Sequence, residues 1–208
     1  ALVAALLVAG FYLPRSLVED EATGSAVGSS SLAESSQISD DVIVDTVAVL
    51  TKTVGVEWAD DASFRPESGT TLEPCKLQLK SGLAQVEFLQ GSTIVLEGPV
   101  EFEIINPNGG ALAIGKLRAS VPQVASGFSI EIPKGKVIDL GTEFGLHVHD
   151  GGSTEVFVFQ GKVLYDGLAG DDEDVFREVS GGESIFIDPY GYPRWVEMPT
   201  EPFMGKAD

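Results

Sequence analysis

The chain has 208 residues, of which 43% are hydrophobic and 22% are charged, enough for one domain with a sizeable core and flanking segments. Its formal net charge of −19 repels phosphate backbones and anionic lipid headgroups, so nucleic-acid binding is not expected. A single cysteine, Cys75, excludes an intrachain disulfide, and its place in a strand pattern predicts a buried small apolar residue rather than a reactive thiol.

Residues 1–13, ALVAALLVAGFYL, carry no charge and precede Pro14 and Arg15. A bilayer span needs about 20 residues, so this run predicts a partial transmembrane helix over residues 1–15 that contacts the membrane. The hydrophobic region of a signal peptide is an alternative, although no small-residue cleavage site follows directly. A buried core helix is the third interpretation.

Residues 16–45 are dominated by Ser, Gly, Asp and Glu, and no apolar period persists among them. This composition predicts a flexible acidic linker. After a membrane helix, such a linker would hold a folded domain away from the bilayer.

Short runs of alternating apolar and polar residues fill the segment 46–188, as in CKLQLKSGLAQVEFL at 75–89. The rhythm predicts an all-β domain of many short antiparallel strands, in a sandwich, barrel or solenoid-like arrangement. Turn signals recur about every 8–12 residues. They are Ser81-Gly82, Gln90-Gly91, Gly98-Pro99, Gly109-Gly110, Lys134-Gly135, Gly151-Gly152, Gln160-Gly161 and Gly181-Gly182.

The segment 189–208, PYGYPRWVEMPTEPFMGKAD, is rich in proline and aromatic residues. It predicts an exit linker that leaves the β-domain. Tyr190, Tyr192 and Trp195 could stack on sugar rings, but packing against the domain is the favoured interpretation.

The motif DLGTEFG holds two carboxylates close to two glycines. It comprises Asp139, Leu140, Gly141, Thr142, Glu143, Phe144 and Gly145. In an extended strand Asp139 and Glu143 would lie about 13 Å apart, too far for a glycosidase pair. We therefore expect a structural turn in which Asp139 accepts backbone N–H groups, Gly141 adopts a conformation closed to other residues, and Phe144 enters the core.

Five apolar residues around this motif are the predicted core positions. They are Val137, Leu140, Phe144, Leu146 and Val148. Gly141 and Gly145 are expected to permit close backbone approach.

His147 and His149 are two residues apart, so on a strand they share one face. With Leu146 and Val148 facing the core, that face is the solvated one. An exposed face without a ligand is the favoured interpretation. Weak zinc or nickel binding is the alternative, for which Asp150 lies nearby but no third strong ligand is placed by the sequence.

The run GDDEDVF, residues 170–176, has four consecutive acidic residues and lacks the alternating ligands of a calcium-binding EF-hand. A solvated hairpin tip is expected there. The chain contains neither a G-x-S-x-G elbow nor a phosphate-binding or dinucleotide-binding loop. No catalytic residue, metal or cofactor is therefore predicted, and the chain is not expected to be an enzyme.

Several stretches together carry a family resemblance: GLAQVEFLQGSTIVLEGPVEFEI, GKLRASVP, GFSIEIPKGKVIDLGTEFGLHV and STEVFVFQGKV. They closely resemble the FecR-type domain, in particular versions from planctomycetes and verrucomicrobia. The resemblance covers residues 46–188, and its most specific elements are DLGTEFGL and EVFVFQGKV.

The resemblance implies a single-pass protein of the bacterial inner membrane with its β-domain on the periplasmic side. In the best-known members a cytoplasmic part binds a sigma factor, and the periplasmic part receives a signal from an outer-membrane transporter. These 208 residues contain neither that sigma-binding region nor a recognisable transporter-contacting domain. Relatives of this subtype often carry a lectin-like domain after the FecR-type domain.

Two functions are predicted on these grounds. The first is a FecR-like sensor or regulatory domain that acts in signal transduction by contact with a protein partner in the envelope, as an anti-sigma regulator does. The second is a non-catalytic envelope scaffold or carbohydrate-binding module of a multidomain surface protein.

Overall fold

The computed structural model describes residues 46–170, 173–199 and 203–204. The predicted membrane segment 1–15 and linker 16–45 lie outside the described residues, as do two positions of the acidic run, 171 and 172. In the described part strands predominate and the one helical element is a short 3-10 turn, Gln123–Ala125, so the predicted all-β fold is confirmed. No helix in these ranges has the length and apolar character to cross a bilayer.

The described residues form thirteen strands in one sheet. They are β1 (Ala48–Trp58), β2 (Thr71–Leu72), β3 (Cys75–Phe88), β4 (Thr93–Asn106), β5 (Gly109–Ser120), β6 (Ser129–Ile132), β7 (Gly135–Asp139), β8 (Glu143–Val148), β9 (Thr154–Gln160), β10 (Lys162–Ala169), β11 (Glu173–Ser180), β12 (Ser184–Ile187) and β13 (Pro193–Val196).

The main path of the sheet runs β11-β10-β7-β6-β5-β4-β3-β1-β2, and a branch leaves β5 through β8, β9, β12 and β13. The fork lies in β5. Its first residues, 109–111, pair in parallel with β6, whereas its later residues, 115–120, pair antiparallel with β8. β5 therefore belongs to both halves of the sheet, the main path and the branch.

Two predicted turns, Ser81-Gly82 and Gly98-Pro99, are instead bends inside β3 and β4, each of which runs for 14 residues. The β3–β4 register shifts between Leu79 and Leu83, which is the mark of a bulge. The core-facing set changes phase there, so that Leu79 on one side and Ala84 on the other are both buried. The bend therefore changes which alternate residues of β3 face the core.

The bends of neighbouring strands lie side by side, and we call this row the line of bends. Glycine is required there because the backbones of adjacent strands are in close contact. A Cβ on Gly82 would lie 2.3 Å from the carbonyl oxygen of Gly55, and one on Gly115 would lie 2.4 Å from that of Pro99. Real Cβ atoms essentially never approach backbone so closely. The line crosses β1, β3, β4 and β5.

Both sheet halves contribute to a single hydrophobic core. Phe88 and Phe128 meet edge to face, with ring centroids 4.9 Å apart and planes at 73°. Cys75 is half-buried against this core. Burial, with Glu73 adding to it, raises the pKa of the Cys75 thiol, which suits an unreactive residue.

The DLGTEFG motif occupies the end of β7, a turn and the start of β8. Asp139 is buried, and its Oδ2 accepts the N–H of Gly141 at 2.6 Å. Gly141 has φ +91°, a conformation that favours glycine. Phe144 is fully buried. The geometry is that of an Asx turn followed by a core anchor.

Leu140 is the exception among the five predicted core residues, since 43% of it is exposed whereas the other four are buried. Strand alternation explains the difference. Val137 and Asp139 point inward from β7, so Leu140 points outward. The polar residue, rather than its leucine neighbour, occupies the core-facing position.

The sheet continues beyond residue 188, into the segment predicted as an exit linker, because β13 pairs with β12. Farther on, Phe203 packs on β8 and β9. Its ring centroid lies 4.8 Å from that of Phe157, and a Cβ on Gly145 would lie 2.5 Å from Phe203 Cε1. Gly145 thus leaves room for the Phe203 ring.

Candidate functional site

A cleft of about 490 Å³ lies on the outer face of β7 and β10, which points away from the core. The residues that line it include Glu131, Lys134, Lys136, Asp166, Leu168 and Tyr190. Across its floor the Lys136 Nζ lies 3.2 Å from an Asp166 carboxylate oxygen, and the two residues are directly opposite in the sheet. Charged and apolar groups therefore share the walls.

The Tyr165 side chain connects two segments beside this cleft. Its buried hydroxyl donates towards the carbonyl oxygens of Lys134 at 2.8 Å and Gly191 at 3.2 Å. Burial, with the nearby charges of Asp188 and Asp166, raises the pKa of Tyr165 to about 12. The hydroxyl stays protonated at neutral pH and remains a hydrogen-bond donor.

The turn that carries Tyr190 is held by Asp188. The Asp188 Oδ1 accepts the backbone N–H groups of Tyr190 at 2.9 Å and Tyr192 at 3.0 Å. Gly191 has φ +93° at the apex. Tyr190 is thus 71% exposed on a turn of defined geometry.

Strand β11 ends the main path of the sheet and pairs with β10 on one side. Phe176 of β11 lies opposite Asp166 and so shares the outer face with Leu168, two residues farther along β10. Phe176 is 61% exposed and Leu168 50% exposed. We call Leu168, Phe176 and Tyr190 the β10–β11 patch, which the sequence did not indicate as a unit.

The three aromatic residues considered for sugar stacking are all largely exposed. Tyr190 lines the cleft, and the Tyr192 hydroxyl lies beside Gly170. Trp195 is 52% exposed on β13, with the Arg177 guanidinium 5.9 Å from its ring centroid. Tyr190 and Tyr192 thus both lie near Gly170, and Trp195 lies near Arg177 of β11.

His147 lies in β8, His149 follows directly after its last residue, and Glu155 of β9 lies opposite His147. The Glu155 Oε2 lies 3.3 Å from His147 Nδ1 and 3.0 Å from His149 Nε2. The two imidazole rings are 3.9 Å apart between centroids. We call these three residues the histidine cluster. Its third member, Glu155, was not identified from the sequence.

Burial lowers the pKa of His147, and the positive charges of His149 and Lys116 lower it further, while Glu155 acts in the opposite direction. A cleft of about 250 Å³ adjoins the cluster. His147 and Asp150 line it together with Lys116, whose Nζ lies 3.4 Å from Glu97 Oε1. The cluster is therefore accessible from solvent.

The two carboxylates of the DLGTEFG motif, those of Asp139 and Glu143, take part in separate interactions. Glu143 accepts from Arg118 Nη2 at 2.7 Å and Nε at 3.0 Å, and the same guanidinium lies 4.5 Å from the Phe159 ring centroid. Asp139 is buried, and burial raises its pKa to about 6 against the hydrogen bonds from Gly141 and Thr142. The structure gives these carboxylates structural roles.

No known protein family matches the chain, and no curated protein does. Among solved structures, two of a candidate anti-sigma factor from Parabacteroides distasonis ATCC 8503 are similar to it. They have TM-scores of 0.48 and 0.49 at 17% and 16% identity. The alignments cover 59% and 60% of this chain, and 59% and 60% of those chains. The chain thus spans about three fifths of the length of those structures.

Proposed function

We propose that this β-domain is a non-enzymatic regulatory domain that binds a protein partner through the β10–β11 patch. The observation that carries the proposal is the exposure of Leu168, Phe176 and Tyr190 on and beside edge strand β11. Apolar side chains on the surface favour burial against a partner. An edge strand also offers unpaired backbone groups to which a partner strand can add.

The cleft beside the patch suits a peptide rather than a flat surface contact. Its volume of about 490 Å³ can admit side chains of a docked segment. Tyr165 and Asp188 hold the flanking turns through hydrogen bonds. A site that is already formed costs less conformational entropy when a partner binds.

The proposed cellular location of the chain and the proposed class of its partner come from its resemblance to the FecR-type domain. On that basis the chain is anchored in the bacterial inner membrane, and its β-domain lies in the periplasm. There it transmits an envelope signal, and a sigma factor is the proposed downstream target. The proposal that the chain is not an enzyme rests on the absence of catalytic motifs from its sequence.

A carbohydrate-binding module is the second candidate function. The exposure of Tyr190, Tyr192 and Trp195 favours it, because the faces of exposed aromatic rings can stack on sugars. Under this alternative the chain is an envelope scaffold rather than a relay.

The test is capture of partners from a native envelope extract by the 208-residue chain, with proteins identified by mass spectrometry. Phe176→Lys places a charge in the patch. Val124→Lys adds the same charge at a residue that is 91% exposed outside the patch. We expect a partner that the wild type and Val124→Lys retain and that Phe176→Lys loses.

Competition with soluble polysaccharide separates the two functions. A protein partner that survives the competition supports regulation by protein contact. Capture abolished by polysaccharide supports the carbohydrate-binding module. Equal capture by Phe176→Lys and Val124→Lys contradicts the assignment of the β10–β11 patch.

A further inference from the structure

We propose that the histidine cluster, His147, His149 and Glu155, is a binding site for a divalent transition metal, with zinc as the fitting ion. The proposal concerns a different surface from the β10–β11 patch. It stands or falls independently of the proposed partner binding.

The geometry of the ligand atoms supports a metal. One ligand atom from each of His147, His149 and Glu155 lies within 4.8 Å of the other two. The Glu155 Oε2 is 3.3 Å from His147 Nδ1 and 3.0 Å from His149 Nε2. Ligands about 2.1 Å from a tetrahedral zinc ion are about 3.4 Å apart. Small side-chain rotations therefore suffice to admit an ion among them.

The backbone fixes this arrangement. His147 lies directly opposite Glu155 in the β8–β9 hairpin, so the two side chains share one face. His149 follows at the hairpin turn, where its N–H donates to Ser153 O at 2.9 Å and its carbonyl accepts from Gly152 N at 3.0 Å. The ligands are thus positioned by a two-stranded unit and its turn.

The ligand set selects the class of ion. Imidazole nitrogens favour zinc, nickel and copper, whereas calcium and magnesium favour sites built from oxygen. Three protein ligands with access from the adjoining cleft leave a coordination position for water or a partner group. The overall charge of −19 also favours cations, while the nearby Lys116 opposes them and is itself paired with Glu97.

Hydrogen bonds alone are the alternative explanation for the cluster, because Glu155 lies within bonding distance of His149. In that case the Nε2–H of His149 donates to Glu155 Oε2, and zinc does not displace that hydrogen. Zinc would then leave the histidine ring signals where they are. The two explanations therefore differ in an observable.

The experiment titrates the tag-free 208-residue chain with zinc chloride and measures binding heat, melting temperature and histidine ring NMR signals. His147 and His149 are the only two histidines in the chain, so there are two sets of ring signals, and His147→Ala distinguishes them. A Cys75→Ser background removes the thiol as a competing ligand. Magnesium chloride serves as the contrasting ion.

We expect one zinc ion per chain at micromolar affinity, a zinc-dependent rise in melting temperature and a shift of both ring signals, with no effect of magnesium. His147→Ala and Glu155→Gln should each weaken zinc binding by about tenfold or more. Glu178→Gln removes a carboxylate from another cross-strand ion pair and should leave binding unchanged.

Two results would overturn the proposal. One is no saturable binding up to millimolar zinc with unmoved ring signals. The other is equal zinc affinity in the wild type and in Glu155→Gln. The Glu155→Gln variant keeps the size and a hydrogen-bond acceptor of the side chain, so it decides the question even if His147→Ala does not fold.

Discussion

Asp139 accepts the backbone N–H of Gly141 at 2.6 Å, although the carboxylate is fully buried. Its second oxygen, Oδ1, has no hydrogen-bond partner among the described residues. Loss of hydration thus outweighs the hydrogen bonds from Gly141 and Thr142, and the pKa of Asp139 rises to about 6. Ionisation of Asp139 in this turn therefore costs free energy at neutral pH.

The raised pKa predicts a pH-dependent contribution of Asp139 to stability. The folded chain holds this proton more tightly than the unfolded chain, whose aspartate has the ordinary pKa of 3.8. The contribution is therefore most favourable below about pH 4 and falls as the pH rises to about 6. Asp139→Asn cannot ionise and keeps an acceptor for Gly141. Its melting temperature relative to wild type should increase between about pH 4 and pH 7.

Glu101 provides a control of opposite sign, because the hydrogen bond from Lys76, at 2.6 Å, lowers the pKa of Glu101. Its contribution is present at neutral pH and is lost as the pH falls through that lowered pKa. Glu101→Gln should therefore lose melting temperature relative to wild type as the pH rises. Parallel pH profiles for the Asp139 and Glu101 variants would contradict the assignment.

Phe144 and Leu140 were both predicted to be core residues, but only Phe144 is buried. Phe144 is fully buried, whereas Leu140 is 43% exposed. Phe144→Ala should lower the free energy of unfolding by about 3–5 kcal/mol, because it removes a buried ring and leaves a cavity. Leu140→Ala should cost less than about 1 kcal/mol. Urea denaturation of both variants measures this. A Phe144→Ala variant that unfolds like wild type would show that the ring is not a core anchor.

Local sequence chemistry predicted the strands and most turns of this fold but not its bends. Apolar alternation reports which face of a strand is buried, and that signal survives without knowledge of the partners. Gly98-Pro99 has the same chemistry as a turn, yet it lies in the middle of β4. A bulge and a turn both use glycine, and only the pairing of the flanking residues with neighbouring strands distinguishes them.

The candidate sites required still longer-range information. The alternation of Leu146 and Val148 predicted both histidines on the outer face, and in the structure 27% of the His147 side chain and 36% of the His149 side chain are exposed beside Glu155. The Gly151-Gly152 turn could also have identified Glu155, because a hairpin centred there sets His147 opposite it. The β10–β11 patch had no such local signal, since the order of the strands brings Leu168 and Tyr190 to one cleft.

Alanine substitutions at Gly115 and Gly69 test whether close contact between strands is what requires glycine along the line of bends. Both have positive φ, +100° and +93°, so alanine strains the backbone at either position. At Gly69 nothing lies within 4 Å of an added Cβ, whereas at Gly115 the Cβ would lie 2.4 Å from Pro99 O. Gly115→Ala should cost about 1–3 kcal/mol more than Gly69→Ala in denaturant unfolding. Equal costs would mean that conformational strain, rather than close strand contact, requires glycine there.

Tyr165→Phe tests whether the buried hydroxyl holds the segments of Lys134 and Gly191 beside the 490 Å³ cleft. The variant keeps the ring and removes the donor to the carbonyl oxygens of Lys134 and Gly191, so it should destabilise the chain by about 1–2 kcal/mol. Hydrogen exchange should become faster at the amides of residues 188–192, because the turn that presents Tyr190 loses an anchor. Tyr190→Phe removes an equivalent hydroxyl from a side chain that is 71% exposed and should leave both measurements unchanged. If exchange in the turn is equally slow in Tyr165→Phe and wild type, the Asp188 side chain alone is sufficient to hold the turn.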